Sequence, residues 1–277
     1  MISQRPAAPA LTLPSTRSHR RDRWVVITAL GGVTASAWIY VVIQAREMST
    51  GMAPTSLNGG MQSMHQAQAW TAAGFGLVVL MWAVMMVAMM APSAVPMTLV
   101  YAAVARKAAR EDRPVAPTRM FVSGYLAMWG LFAVVATSAQ MGLDRLSLLS
   151  PAMASASPLL GGGLLIGAGV YELTPYKHAC LAHCRVPAHF IARHWRGGFT
   201  GALRMGVSLG AYCLGCCWIL MGLLFVGGVL NLLWIAAIAA FILLEKIVPF
   251  GETGGRVVGA VAVLVGLGSL TGLIALP

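Results

Sequence analysis

With 277 residues, 58% of them hydrophobic and only 10% charged, the chain carries far too little charge for a soluble domain, where roughly a quarter of residues are charged. Its apolar runs approach or exceed the ~20 residues that cross a bilayer as helix, and they are continuous rather than alternating, which selects helices over a barrel. The net charge of +11 is what the cytoplasmic loops of a membrane protein produce, so no nucleic-acid partner is expected.

Residues 1–23, MISQRPAAPALTLPSTRSHRRDR, are polar, basic and proline-containing and read as a disordered cytoplasmic tail. Residues 24–277 read as a single transmembrane helical domain. Its first span is Trp24–Ile43. A secretory signal peptide is the rival reading there, because ASAW at 35–38 resembles a small-residue cleavage site. The apolar run continues through WIYVVI to bilayer length, which favours an uncleaved anchor. The loop that follows, REMSTGMAPTSLNGGMQSMHQAQ at 46–68, gathers Met48, Met52, Met61, Met64 and His65. Thioethers and imidazole bind copper without needing a thiolate, so such a segment outside the cytoplasm suits capture. A low-complexity loop that happens to be Met-rich is the plain alternative.

The second span, Thr71–Met90 and extendable to Val104, contains MWAVMMVAMMAPSAVPM. Met81, Met85 and Met89 recur on one helix face, with Met86 and Met90 in a second row beside them. Pro92 and Pro96 are expected to kink or unwind the inner end of this helix. The third span is Arg119–Met141. The fourth, Pro158–Pro175, ends in GVYELTP with Glu172 near its end, and Gly163 and Gly167 form a small-residue pair suited to close helix contact. The connection that follows, 176–196, contains KHACLAHC and four of the six histidines, His178, His183, His189 and His194. The fifth span, Gly201–Gly227, carries a second small-residue pair, Gly206–Gly210, and the sequence YCLGCCW. The sixth, Leu230–Val248, ends in LLEKIVP with Glu245 and Lys246. The seventh is Val257–Leu276.

Charge sets the orientation. With the N-terminus inside, five Lys and Arg lie in the tail, five between Arg106 and Arg119, five between Lys177 and Arg204, and Lys246 and Arg256 add two, so seventeen of nineteen are cytoplasmic. Only Arg46 and Arg145 fall outside. The expected architecture is therefore all-α, a seven-helix bundle, N-in and C-out.

All five cysteines fall in two short segments. Cys213 and Cys217 share a helix face that Cys216 flanks, and Cys180 and Cys184 form a second helical pair. Thiolates select soft ions such as Cu(I) and Zn(II), and thioethers favour Cu(I). A single buried cysteine is ordinarily just a small hydrophobe, and a methionine a gap-filler; five clustered thiols beside a methionine stripe ask for more. Counted from the inner face, Cys213 and Cys217 lie deep, whereas Cys180 and Cys184 follow Pro175 at the cytoplasmic edge. One cage or two stations along a path both fit. His183, between the two edge cysteines, is the best further ligand; the other histidines read as ordinary inner-surface residues. Charges in lipid are costly and mark function or a pair. Glu172 is expected to pair with Lys246 across the bundle or to relay protons, and Glu245 to snorkel beside Lys246. There is no nucleotide loop, no Ser-His-Asp arrangement and no paired-carboxylate motif, so no enzymatic reaction is indicated.

MMVAMMAPS, YELTPYKHACLAHCRVP, GAYCLGCCW and LLEK together resemble a bacterial family of predicted metal-binding integral membrane proteins, a domain of unknown function, over roughly 70–250. The resemblance implies metal binding, and some members look like copper-handling proteins. It carries over to Met85, Met86, Met89, Met90, Pro92, Lys177, Cys180, Cys184, Cys213, Cys216, Cys217, Glu245 and Lys246. It does not cover the tail, the first span or the Met-rich loop.

The expectation is thus a protein of the bacterial inner membrane that binds Cu(I), with Zn(II) the alternative ion, and passes, stores or transports it through a Cys/Met site. Its partners would be the bilayer, the ion and another membrane protein or metallochaperone. The main rival is a thiol–disulfide electron carrier, since Cys213 and Cys216 form a C-x-x-C and Cys180 and Cys184 supply a second pair. A structural subunit of a membrane complex is the third reading.

Overall fold

The computed structural model describes residues 16–50, 70–150 and 153–274. Among these the secondary structure is all helix apart from one isolated bridge, Leu149 to Ser155. The helices are α1 (Thr16–Thr50), α2 (Ala72–Arg110), α3 (Thr118–Arg145), α4 (Pro158–Glu172), α5 (Pro175–Arg185), α6 (Pro187–His194), α7 (Gly198–Gly222), α8 (Leu224–Gly227), α9 (Leu232–Ile247) and α10 (Gly251–Leu270). The side chains of Met48, Met52, Met61, Met64 and His65 lie outside the described residues, as do residues 1–15.

Local sequence signals set the boundaries. Thr71, Ser157, Thr174 and Asn231 each accept a backbone N–H at the start of α2, α4, α5 and α9, satisfying donors that have no partner inside the helix. Pro158 and Pro175 follow two of these caps at a position where their missing N–H costs nothing. The Thr174–Pro175 pair therefore ends α4 and starts α5 in a new direction.

Five segments are long and apolar enough to cross a membrane: Trp24–Arg46, Ala72–Arg110, Thr118–Arg145, Gly198–Gly227 and Gly251–Leu270. The other two expected spans correspond to α4 and α9, of 15 and 16 residues, which rise only about 22 and 24 Å against a hydrocarbon core of about 30 Å. The expected runs counted capping and turn residues as helix.

The prolines of α2 do not break it. The helix runs unbroken for 39 residues, contrary to the expected unwinding. Pro92 has no N–H for the carbonyl four residues back, that of Ala88; the indole of Trp38 on α1 donates to it instead, at 3.0 Å.

Two helix pairs pack most extensively, α4 with α10 and α3 with α7. Both meet through glycine. A Cβ at Gly162 or Gly169 would strike the carbonyls of Gly266 and Gly259, so this seam is a reciprocal set of glycines seven apart. Gly163 and Gly167, the pair expected to pack, have nothing within 4 Å. Gly206 does pack as expected: a Cβ there would strike the Phe121 carbonyl, and one at Gly210 the Met128 side chain. The core these pairs enclose is lined by α2 and α7. Met81, Met85, Met86, Met89 and Met90 are all at most 2% exposed.

Candidate metal centre

The thiols of α7 face this core. Cys213, Cys216 and Cys217 are buried, and the Cys216 and Cys217 sulfurs donate to the Cys213 carbonyl at 3.0 and 2.9 Å. Cys184 of α5 reaches the same point, its side chain interacting with those of Cys213 and Cys216. Cys180, one turn earlier on α5, lies over Gly215; a Cβ on that glycine would sit 2.8 Å from the Cys180 sulfur. Gly215 is therefore what lets α5 lie flat on α7. Tyr171, at the end of α4, donates to the Gly215 carbonyl and holds the same strip of backbone from the other side. Cys180 and Cys184 are partly exposed and all five cysteines are free. Burial pushes the Cys180 thiol up from its ordinary value, and the nearby Cys216 adds to this. The two sulfur segments, one deep and one at the edge, thus form one continuous cluster from interior to surface.

Cys213 is the hub. Lys246 Nζ of α9 donates to its sulfur at 3.0 Å, and the Tyr125 hydroxyl of α3 lies 3.2 Å away. Both groups also reach α2: Tyr125 donates to the Met90 carbonyl at 3.3 Å, and Lys246 to Ser93 Oγ at 3.1 Å. The lower end of the methionine stripe therefore stands level with the cysteine hub. An ammonium at this distance compensates negative charge on sulfur. Tyr125 was not anticipated: a lone tyrosine in an aliphatic run announces nothing. Nor were Met97, Met205 and Met221, further thioethers buried in the same core.

Glu172 does not pair with Lys246. It accepts instead from Lys177 Nζ, which also donates to Glu245. Glu245 does not snorkel; it is 3% exposed. Lys246 points the other way, to Cys213, because successive residues on a helix diverge by about 100°.

His183 sits in an aromatic cluster. Its ring stacks on Tyr212 with centroids 4.1 Å apart and meets His194 edge-on. Nδ1 lies 2.8 Å from the Ala179 carbonyl oxygen, which only accepts, so Nδ1 carries the proton and Nε2 is the nitrogen left for a ligand. None of these contacts is with a thiol. His178 Nδ1 lies 3.3 Å from Glu252 Oε1, an ion pair only when the ring is protonated, and among the described residues neither ring nitrogen makes a hydrogen bond.

Residues 79–269 match PpoB2, a family of copper chaperones. The chain belongs to this copper-chaperone family. The matched stretch holds every residue of the sulfur cluster and the Glu172–Lys177–Glu245 triad, and omits α1 and the Met-rich loop. No curated protein and no solved structure matches the chain.

The donors suit the family's metal. Thiols and thioethers are the soft ligands that copper in its lower oxidation state selects. Among the described residues, no three His, Cys, Asp or Glu side chains are already gathered in a metal-holding arrangement. The Cys216 and Cys217 hydrogens are instead engaged by the Cys213 carbonyl.

Proposed function

We propose that the chain is an integral protein of the bacterial inner membrane that holds Cu(I) as cargo and delivers it to another protein. Cys213, Cys216, Cys217 and Cys184 are the holding ligands, and Cys180 with His183 is the exchange point at the surface. Met85, Met86, Met89 and Met90 are the weaker donors along which the ion reaches or leaves the thiols. The observation that carries this reading is the Cys213 hub, where thiols of two helices converge beside the Lys246 ammonium. Lys246 compensates negative charge on the thiolates around the ion, and the thioethers of the neighbouring stripe favour Cu(I) over Zn(II). In this reading α4 and α9, each shorter than the hydrocarbon core, cross only together with the capping and turn residues at their ends, which gives seven crossings, N-in and C-out, with seventeen of nineteen Lys and Arg on the cytoplasmic side.

The test is elemental analysis of purified protein, wild type against Cys213→Ser/Cys216→Ser/Cys217→Ser. Near-stoichiometric copper in the first and none in the second is expected. The contact of Cys184 with Cys213 and Cys216 favours one second reading, a thiol–disulfide carrier; metal-free wild-type protein whose thiol labelling follows the redox state would establish that reading instead.

A further inference from the structure

The Glu172–Lys177–Glu245 triad stands apart from the sulfur cluster, and charge counting shows that it is incomplete. Lys177 is fully buried, Glu172 is 1% and Glu245 3% exposed. One ammonium between two carboxylates leaves a net negative charge where water does not reach, and an uncompensated buried charge is strongly disfavoured. The other charged groups on the four helices that meet here are engaged elsewhere or exposed. Lys246 goes to Cys213 and Ser93, His178 to Glu252, and Arg185 to the carbonyls of Val248 and Pro249. Arg256 is exposed. The ring of Phe241 stands 5.8 Å from Lys177 Nζ and adds no formal charge.

Both carboxyl groups accept from the same nitrogen, so they are no further apart than two hydrogen bonds laid end to end. Like charges that close do not both ionise readily. Glu172 Oε1 is buried and, among the described residues, has no hydrogen-bond partner. A metal ion does not solve the imbalance, because the ammonium already occupies the centre. The backbone of Gly255 closes the remaining side: a Cβ there would lie 3.1 Å from Glu172 Oε2 and closer still to Glu245 Oε1. A proton needs no room.

We propose that Glu172, Lys177 and Glu245 form a proton-binding site that holds one exchangeable proton on its pair of carboxyl groups. The inference is independent of the copper reading. It assigns the copper chaperone a hard, proton-carrying site on the same short helix, α5, that presents Cys180 and Cys184.

Infrared spectroscopy of the purified full-length protein at neutral pH tests it through the carbonyl band of a protonated carboxylic acid, identified by its shift in D2O. Charge balance fixes the pattern. Wild type is expected to show one protonated carboxyl. Glu172→Gln and Glu245→Gln should each abolish the band, because the remaining carboxylate and Lys177 are then neutral together. Lys177→Met should increase it up to twofold. Absence of the band from wild type, or its survival in both glutamine variants, overturns the proposal. The two glutamine variants decide the matter even if Lys177→Met does not fold, since each retains a matched ion pair.

Discussion

Two buried clusters flank α9 on different faces, and neighbouring residues of one helix serve both: Glu245 the carboxylate triad, Lys246 the sulfur hub. The clusters share a design, one lysine ammonium among groups able to bear negative charge, but differ in the atoms around it. On one side the atoms are oxygens, hard, crowded and closed by backbone. On the other they are sulfurs, soft, polarizable and continuous with the surface through Cys184 and Cys180. The comparison teaches that charge alone does not specify a cargo here. In the proposed reading the softness of the donors and the space around them do: the Lys177 ammonium stands beside the proton site and the Lys246 ammonium beside the copper site.

The contrast can be broken most completely on the sulfur side. Removing Cys213, Cys216 and Cys217 together should lower copper affinity by more than about 100-fold, since loss of mere outer-shell partners already costs about 10–100-fold; competition with a soluble copper chelator measures it. On the oxygen side, Lys177→Met leaves the pair of carboxyl groups without its cation and should cost about 3–5 kcal/mol of stability, read from thermal or denaturant unfolding in detergent. Lys246→Met should separate the two clusters. It removes charge compensation but no sulfur, so copper affinity should fall about 10–100-fold while the infrared carboxyl band stays unchanged. The framework that holds both clusters is tested by Gly206→Ala, expected to cost about 1–3 kcal/mol by overpacking against α3, whereas Gly163→Ala should be neutral or slightly stabilising. Smallest of all, Met86→Leu should change stability by less than about 1.5 kcal/mol but slow copper uptake, a difference that stopped-flow loading resolves.

Much of this was readable from spacing. Cysteines four apart on two segments announced two helical thiol pairs, and methionines every four residues announced a buried stripe. Pro175 marks the end of the fourth span in the sequence, although Thr174 and Pro175 open the next helix instead. These signals are local, and local geometry carries them into the fold. What was not readable depends on groups distant in sequence. Lys177 finds Glu245 sixty-eight positions away, and nothing in either neighbourhood marks the pairing. Tyr125 becomes a contact of Cys213 only because α3 crosses α7 at Gly206, which no periodicity in α3 marks. The glycine seam between α4 and α10 was misread as a four-residue pair, because α4 carries Gly161, Gly162, Gly163, Gly167 and Gly169 and spacing alone does not say which of them face α10. The span count suffered likewise: hydropathy ran through caps and turns that the backbone treats as ends.

The bond from Trp38 to the Ala88 carbonyl joins the segment outside the shared family region to the stripe inside it. In effect α1 acts as a splint, bearing on α2 at one of the two rungs of its ladder that proline has cut. The accessory helix thereby helps set the alignment of a site to which it contributes no ligand.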